Sequence, residues 1–301
     1  MHVVLMFPGQ SSFHPSMLAD AAARWPDLTA KVVADAGAAL GRDLRPWLER
    51  ATDDRNEDLQ LGVFLTNHVH LCAFRRLEVQ PHASLGLSLG ELNHVVEIGA
   101  LDFADAVRLV SARGQAYDAG PSGMMAAVFP LERDALQPLL PEGVEIVGLN
   151  SPTQHVIAGE HPAMHRAVER LEADTYARIV PLQSRLPMHH SRFSPVAEAL
   201  GPALEAATWH RPHRSYRPNA TASVEEAPTG RAFAASLARQ VCSPVRWVES
   251  IETLATERDD VTFVEVGPGS VLVNLLRPQW RPEPRGGTAR MSDLEALLRG
   301  A

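Results

Sequence analysis

A serine caught between glycines, and histidines that could take its proton, are the residues of this chain whose types and spacing could do chemistry. The serine is Ser88, in Gly86-Leu87-Ser88-Leu89-Gly90. A G-x-S-x-G run after a strand and before a helix turns sharply, exposes the serine at the turn and aims helix amides at it. The same five residues also suit a plain packed turn, and the pentapeptide alone leaves both readings open. A serine nucleophile needs a base. Of the 13 histidines, His68 and His70 fall on an apolar helix, and His161 and His165 fall on the surface of a small insert. The pair His189-His190, in "LPMHHSRFSPV", differs. It sits where the chain leaves that insert, next to a proline and just before a helix, at a junction that faces a cleft. An ordinary surface pair is the alternative. The two cysteines, Cys72 and Cys242, have no C-x-x-C spacing. They read as reduced, mostly buried thiols, with no zinc site or disulfide framework.

The elements around these residues give them their positions. "HVVLMF" (2–7) reads as a buried strand and "PGQSS" as the tight turn after it. Helical spacing runs from about Met17 to Leu48, and residues 61–77 form a long helix that is apolar on most faces. "HASLGLS" is a short strand entering the glycine turn, and helices follow, including "FADAVRLVSARGQAYDAG". This is a parallel α/β arrangement. Near Gly123 the pattern becomes strand-helix-strand-strand-helix-strand, the split βαβ order of a ferredoxin-like unit. After Pro187 the α/β character returns. A helix covers about Arg192 to Ala207, and "HRPHRSYRPNATAS" is a loop and strand. Helices follow from Arg231 and through "SPVRWVESIETLATE". "VTFVEVGPGS" is a strand entering a glycine turn, "VLVNLLR" begins a helix, and the Pro/Arg/Gly-rich tail is a surface loop before a last short helix.

The 301 residues are 45% hydrophobic, enough for one large domain or a large and a small one. A net charge of -8 argues against a nucleic-acid partner. Lys31 is the only lysine. No run approaches the ~18 apolar residues of a membrane span, and the N-terminal apolar run is too short for a signal peptide. The chain reads as soluble and cytoplasmic, with no membrane partner.

Seven segments, in order, resemble the malonyl-CoA:acyl-carrier-protein transacylases and the acyltransferase domains of polyketide synthases. They are "MFPGQSS", "GLSLGE", "ARGQAYDAGPSGMMAAV", "GLNSPTQHVIAG", "PMHHSRFSPVAEAL", "SPVRWVESIETL" and "FVEVGPGSVLVNLL". The resemblance implies an α/β-hydrolase-like large domain with a parallel sheet (1–122 and 187–301) and an inserted ferredoxin-like subdomain (123–186). It implies a Ser-His dyad with Ser88 as nucleophile and His189 as base. His190 is the alternative base, because the "HS" of the family motif also matches His190-Ser191. A main-chain carbonyl from residues 240–243 orients the imidazole. Gln10 and the Leu89 N–H form the oxyanion hole, Arg113 binds the free carboxylate of a malonyl-type group, and Gln60 lies near the pocket. Leu87 stands where the family usually has histidine, Ser11 where it has a second glycine, and Met188 where it often has serine or phenylalanine. Leu87 and Met188 make the pocket more apolar. The implied partners are acyl-CoA and the phosphopantetheine arm of an acyl carrier protein, with no metal or redox cofactor. A carrier-to-carrier transferase, an acyl hydrolase and a docking subunit are the other readings.

Overall fold

A computed structural model describes residues 2–48, 54–278 and 285–300. The first strand, β1 (His2–Phe7), is buried on both faces from Val3 onward, as an apolar run in a covered parallel sheet must be. The helical stretch that follows is broken into α1 (Met17–Arg24), α2 (Pro26–Leu40) and α3 (Arg45–Leu48). Pro26 starts α2 at a position whose N–H has no helical acceptor, and Gly41 ends it at φ +64°. Helix α4 (Asn56–Arg75) is buried almost continuously from Gln60 to Leu71. Then come β2 (Ala83–Gly86), α5 (Gly90–Glu97) and α6 (Phe103–Asp118).

The next strands build a second sheet: β3 (Met124–Phe129), α7 (Arg133–Leu136), β4 (Val144–Ser151), β5 (Gln154–Gly159), α8 (His161–Asp174) and β6 (Arg178–Pro181). Helix α7 is a single turn continued by a 3-10 turn (Gln137–Leu139), because Pro138 supplies no N–H to extend it. The remainder is α9 (Ser194–Ala206), α10 (Gly230–Val241), α11 (Trp247–Glu257), β7 (Val261–Glu265), β8 (Arg285–Gly287) and α12 (Met291–Gly300).

Among the described residues two four-stranded sheets result. One is parallel, in the order β2-β1-β7-β8; the other is antiparallel, in the order β4-β5-β3-β6. The second order is that of a split βαβ unit: β3, the first strand, lies in the middle between β5 and β6, and β4 is at the edge beside β5. One apolar layer joins the sheets: Val4, Met6, Leu85 and Phe263 pack in the same cluster as Ile146, Ile157, Met164 and the α11 residues Trp247 and Ile251. A separate core surrounds α4 and α6.

Three expectations need correction. Residues 271–277 form no α-helix: the Glu265 carboxylate accepts the Val273 N–H at 2.9 Å, and only a 3-10 turn (Val273–Leu275) follows before Pro278. Residues 210–223 hold no strand, only an isolated bridge between Tyr216 and Glu225. The tail contributes β8, a short glycine-bearing strand held parallel to β7. Among the described residues no helix is long and apolar enough to cross a membrane.

What positions the site is the register of β1 against β2. Phe7 pairs with Gly86, so the turn after β1 and the turn after β2 leave the same edge side by side. The carboxyl ends of parallel strands are where such sheets open a crevice.

Candidate active site

The turn between β2 and α5 is built by close approach. A Cβ on Gly86 would lie 2.0 Å from the Gly90 carbonyl oxygen, and one on Gly90 would lie 2.1 Å from that of Phe7. Neither position tolerates a side chain, and this tightness puts Ser88 at φ +53°. An L-residue is rarely found there, so the surroundings must hold it. Asn219 does so with both ends of its carboxamide: Oδ1 accepts the Ser88 N–H at 2.6 Å and Nδ2 donates to Gly86 O at 2.6 Å. Gln240 Nε2 donates to Ser88 O at 2.7 Å.

Ser88 Oγ lies 2.7 Å from His189 Nε2, and His189 Nδ1 lies 2.7 Å from the main-chain oxygen of Gln240. A carbonyl oxygen only accepts, so Nδ1 carries the proton and Nε2 turns its lone pair to the hydroxyl. His189, itself at φ +66°, is 5% exposed. Burial first, and then the Arg113 charge, hold its imidazole down at about 4. The ring is therefore neutral at pH 7 and free to take a proton.

Arg113, on α6, is 3% exposed. Its Nη1 donates to Gln60 Oε1 at 2.7 Å, and Nη2 points to Ser88 Oγ at 3.4 Å and to Gln240 Oε1 at 3.5 Å. The guanidinium stacks 4.3 Å over the Tyr117 ring. It forms no ion pair among the described residues. A buried cation beside the reactive oxygen, held only by neutral groups, can accept an anion in bidentate geometry.

Ser88 and His189 open onto a cleft of about 480 Å³ between the two sheets. Gln10, Leu87, Met125, Val156 and Met188 also line it. The arrangement suits acyl transfer: a hydroxyl, a base of fixed tautomer, helix amides at the turn and a roomy, largely apolar cleft.

Comparison with known proteins points to one family. Residues 27–289 match the acyl transferase domain family. The malonyl CoA-acyl carrier protein transacylase of Escherichia coli (strain K12) is 35% identical over 286 residues, 90% of this chain and 91% of that one. The chain belongs to the acyl transferase family. The crystal structure of MCAT from Streptococcus pneumoniae matches this acyl transferase with a TM-score of 0.88 at 30% identity, covering 99% of this chain and 100% of that one. So does a malonyl-transacylase in complex with its type II PKS acyl-carrier protein, with a TM-score of 0.88 at 28% identity and the same coverage.

In this acyl transferase, Ser88, His189, Gln10, Leu87 and Met188 meet at the cleft, while Gln60 and Arg113 lie fully buried behind Ser88. Leu89 is buried at the start of α5, and no hydrogen bond among the described residues engages its amide. His190 is turned away: its Nε2 faces Gly143 O at 3.3 Å and Glu145 at 3.7 Å, and its Nδ1 accepts the Arg192 N–H. Three residues with no role read from the sequence complete the frame. Glu91, fully buried on α5, accepts from Tyr216 Oη, from the Asn219 N–H and from Gln240 Nε2. Burial pushes its carboxyl up to about 7 against those donors. Glu91 was visible as the last letter of "GLSLGE"; Asn219 and Tyr216, in an irregular stretch, had no local signal.

Proposed function

We propose that the protein transfers a malonyl-type acyl group from CoA to the phosphopantetheine thiol of an acyl carrier protein through an ester on Ser88. The Ser88 Oγ–H proton passes to His189 Nε2 as Oγ attacks the thioester carbonyl. The oxyanion is met by Gln10 and the Leu89 N–H, each such donor worth ~3 kcal/mol. As the C–S bond breaks, the CoA sulfur takes the proton back from His189. The second half runs in reverse: His189 takes the thiol proton of the carrier, the thiolate attacks the ester, and Ser88 Oγ recovers its proton. Arg113 binds the free carboxylate. The reading includes a cytoplasmic setting, where CoA thioesters and carrier proteins meet.

The observation that carries this is the chain from Ser88 Oγ through His189 to Gln240 O, set beside a buried guanidinium with no carboxylate partner among the described residues. The malonyl-transacylase names of its relatives support the same substrate and partner. The test is transfer in a mixture of the protein, malonyl-CoA or acetyl-CoA, and a holo carrier protein. Malonyl-carrier should form, with malonyl favoured over acetyl by about 10-fold or more. Free malonate without malonyl-carrier would make the protein a hydrolase, and equal rates for the two groups would remove the carboxylate role of Arg113.

A further inference from the structure

Two ionisable side chains, Glu91 and Arg113, are buried under the reactive serine, and they do not touch each other. The Glu91 carboxylate and the Arg113 guanidinium form no ion pair, although a buried cation and a buried carboxylate so placed would ordinarily close on one another. One carboxamide stands between them. Gln240 Nε2 donates to Glu91 Oε2 at 3.0 Å and to Ser88 O at 2.7 Å, and Gln240 Oε1 faces Arg113 Nη2 at 3.5 Å. The amide has only one workable orientation. Turned over, its oxygen would face a carboxylate and a carbonyl, and its N–H groups would face a cation.

On its other side Arg113 meets a second neutral carboxamide, Gln60, and below it the Tyr117 ring. Among the described residues every contact of the cation is thus to an uncharged group. Such contacts are weaker than a charge-assisted pair, and a carboxylate entering from the cleft can displace the long ones to Gln240 and Ser88 Oγ. A direct Glu91–Arg113 pair would instead have to be broken by each incoming substrate.

We infer that the side chain of Gln240 is a specificity-determining spacer. It anchors Glu91 within the frame below Ser88 while keeping that carboxylate from neutralising Arg113, so the guanidinium is open to the carboxylate of the acyl group. The inference rests on the proposed meeting of Arg113 with that carboxylate. Gln240 acts twice: its main-chain oxygen fixes the His189 tautomer, and its side chain fixes which charge Arg113 sees.

The exchange variant Glu91→Gln/Gln240→Glu tests this. It keeps the net charge and the pair of side-chain types but moves the carboxylate into contact with Arg113. Single-turnover acylation of Ser88 by malonyl-CoA and by acetyl-CoA is followed by intact mass. Both rates fall, because Ser88 O loses its donor, but the malonyl rate falls further, and the malonyl-over-acetyl ratio drops about 10- to 150-fold from wild type. A ratio that stays at the wild-type value overturns the spacer. A wild-type protein with no malonyl preference overturns both the spacer and the reading of Arg113 beneath it. Should the exchange variant fail to unfold cooperatively, Gln240→Ala alone decides. It removes the spacer but keeps the Glu91 carboxylate and the main-chain oxygen that holds His189, so the malonyl-over-acetyl ratio falls about 10-fold or more. A merely structural Gln240 side chain would lower both rates together and leave the ratio unchanged, which overturns the inference.

Discussion

Ser88 and His189 divide their task by hydrogen-bond geometry. The Gln240 carbonyl accepts only from a protonated Nδ1, so the imidazole can receive a proton at Nε2 alone. His189→Ala should slow acylation by about 10²- to 10⁴-fold. His190→Ala, which removes a ring facing Gly143 and Glu145, should change it by less than about 3-fold, within the small effect of a side chain outside hydrogen-bond reach of the reacting proton. With the His189 imidazole held down at about 4, the base stays neutral well into acid. The acylation rate should be flat from pH 8 to about pH 5.5 and fall toward pH 4; a midpoint near 6.5, the ordinary histidine value, would contradict burial of the base. Arg113→Ala should reduce malonyl acylation about 10- to 150-fold, through loss of hydrogen bonds to a charged group, and leave acetyl acylation equal or faster.

The turn after β2 depends on an element with no regular structure. Asn219, in the stretch between α9 and α10, holds the Ser88 N–H and the Gly86 carbonyl, and its own N–H reaches Glu91. Asn219→Ala strands two buried backbone groups and should lower the unfolding free energy by about 2 kcal/mol or more, measured by urea denaturation. The serine of this turn was legible in the sequence because G-x-S-x-G between a strand and a helix is a local pattern with a local steric cause. The β-α order was legible for the same reason: apolar period and turn residues act over a few positions. Asn219 and Tyr216 were not, because their partners Ser88 and Glu91 lie 131 and 125 residues away. No spacing rule spans such a gap. The carbonyl that orients His189 could be narrowed to residues 240–243 but not chosen, since every residue carries one. Strand β8 was missed because Arg-Gly-Gly has no strand propensity of its own and is held in place by β7. The expected helix after β7 failed because Glu265, a strand residue, caps a turn eight positions later.

Over the whole molecule, burial sets the response to acid. His68, His70, His94 and His189 are held down at about 4, 3, 3 and 4, each by burial first. A group depressed in this way contributes stability above its unfolded value near 6.5, lost as the pH falls toward the folded value. Glu91, raised to about 7, works oppositely, as do Glu225 and Glu265, whose carboxyls burial also raises. The four imidazoles outweigh them, so Tm should fall by a few degrees between pH 7 and pH 5 in a thermal melt; a Tm that rises on acidification would contradict it. Docking of a carrier protein by cationic side chains beside the cleft belongs to this scale too. Of the arginines that flank the site segments, Arg192 is paired with Glu160, and Arg281 lies outside the described residues. Arg185, next to the cleft-lining Ser184, and Arg277, two residues after the cleft-lining Leu275, form no ion pair among the described residues. Arg185→Glu and Arg277→Glu should each raise the KM for carrier protein several-fold, and added salt should weaken transfer more than self-acylation. All of these expectations assume an acyl-enzyme. The direct measurement is the intact mass of wild-type protein and of Ser88→Ala after brief exposure to malonyl-CoA. A single malonyl adduct on the wild type that is absent from Ser88→Ala is the expected result. An adduct of equal yield on both proteins, or none on the wild type, would contradict the account.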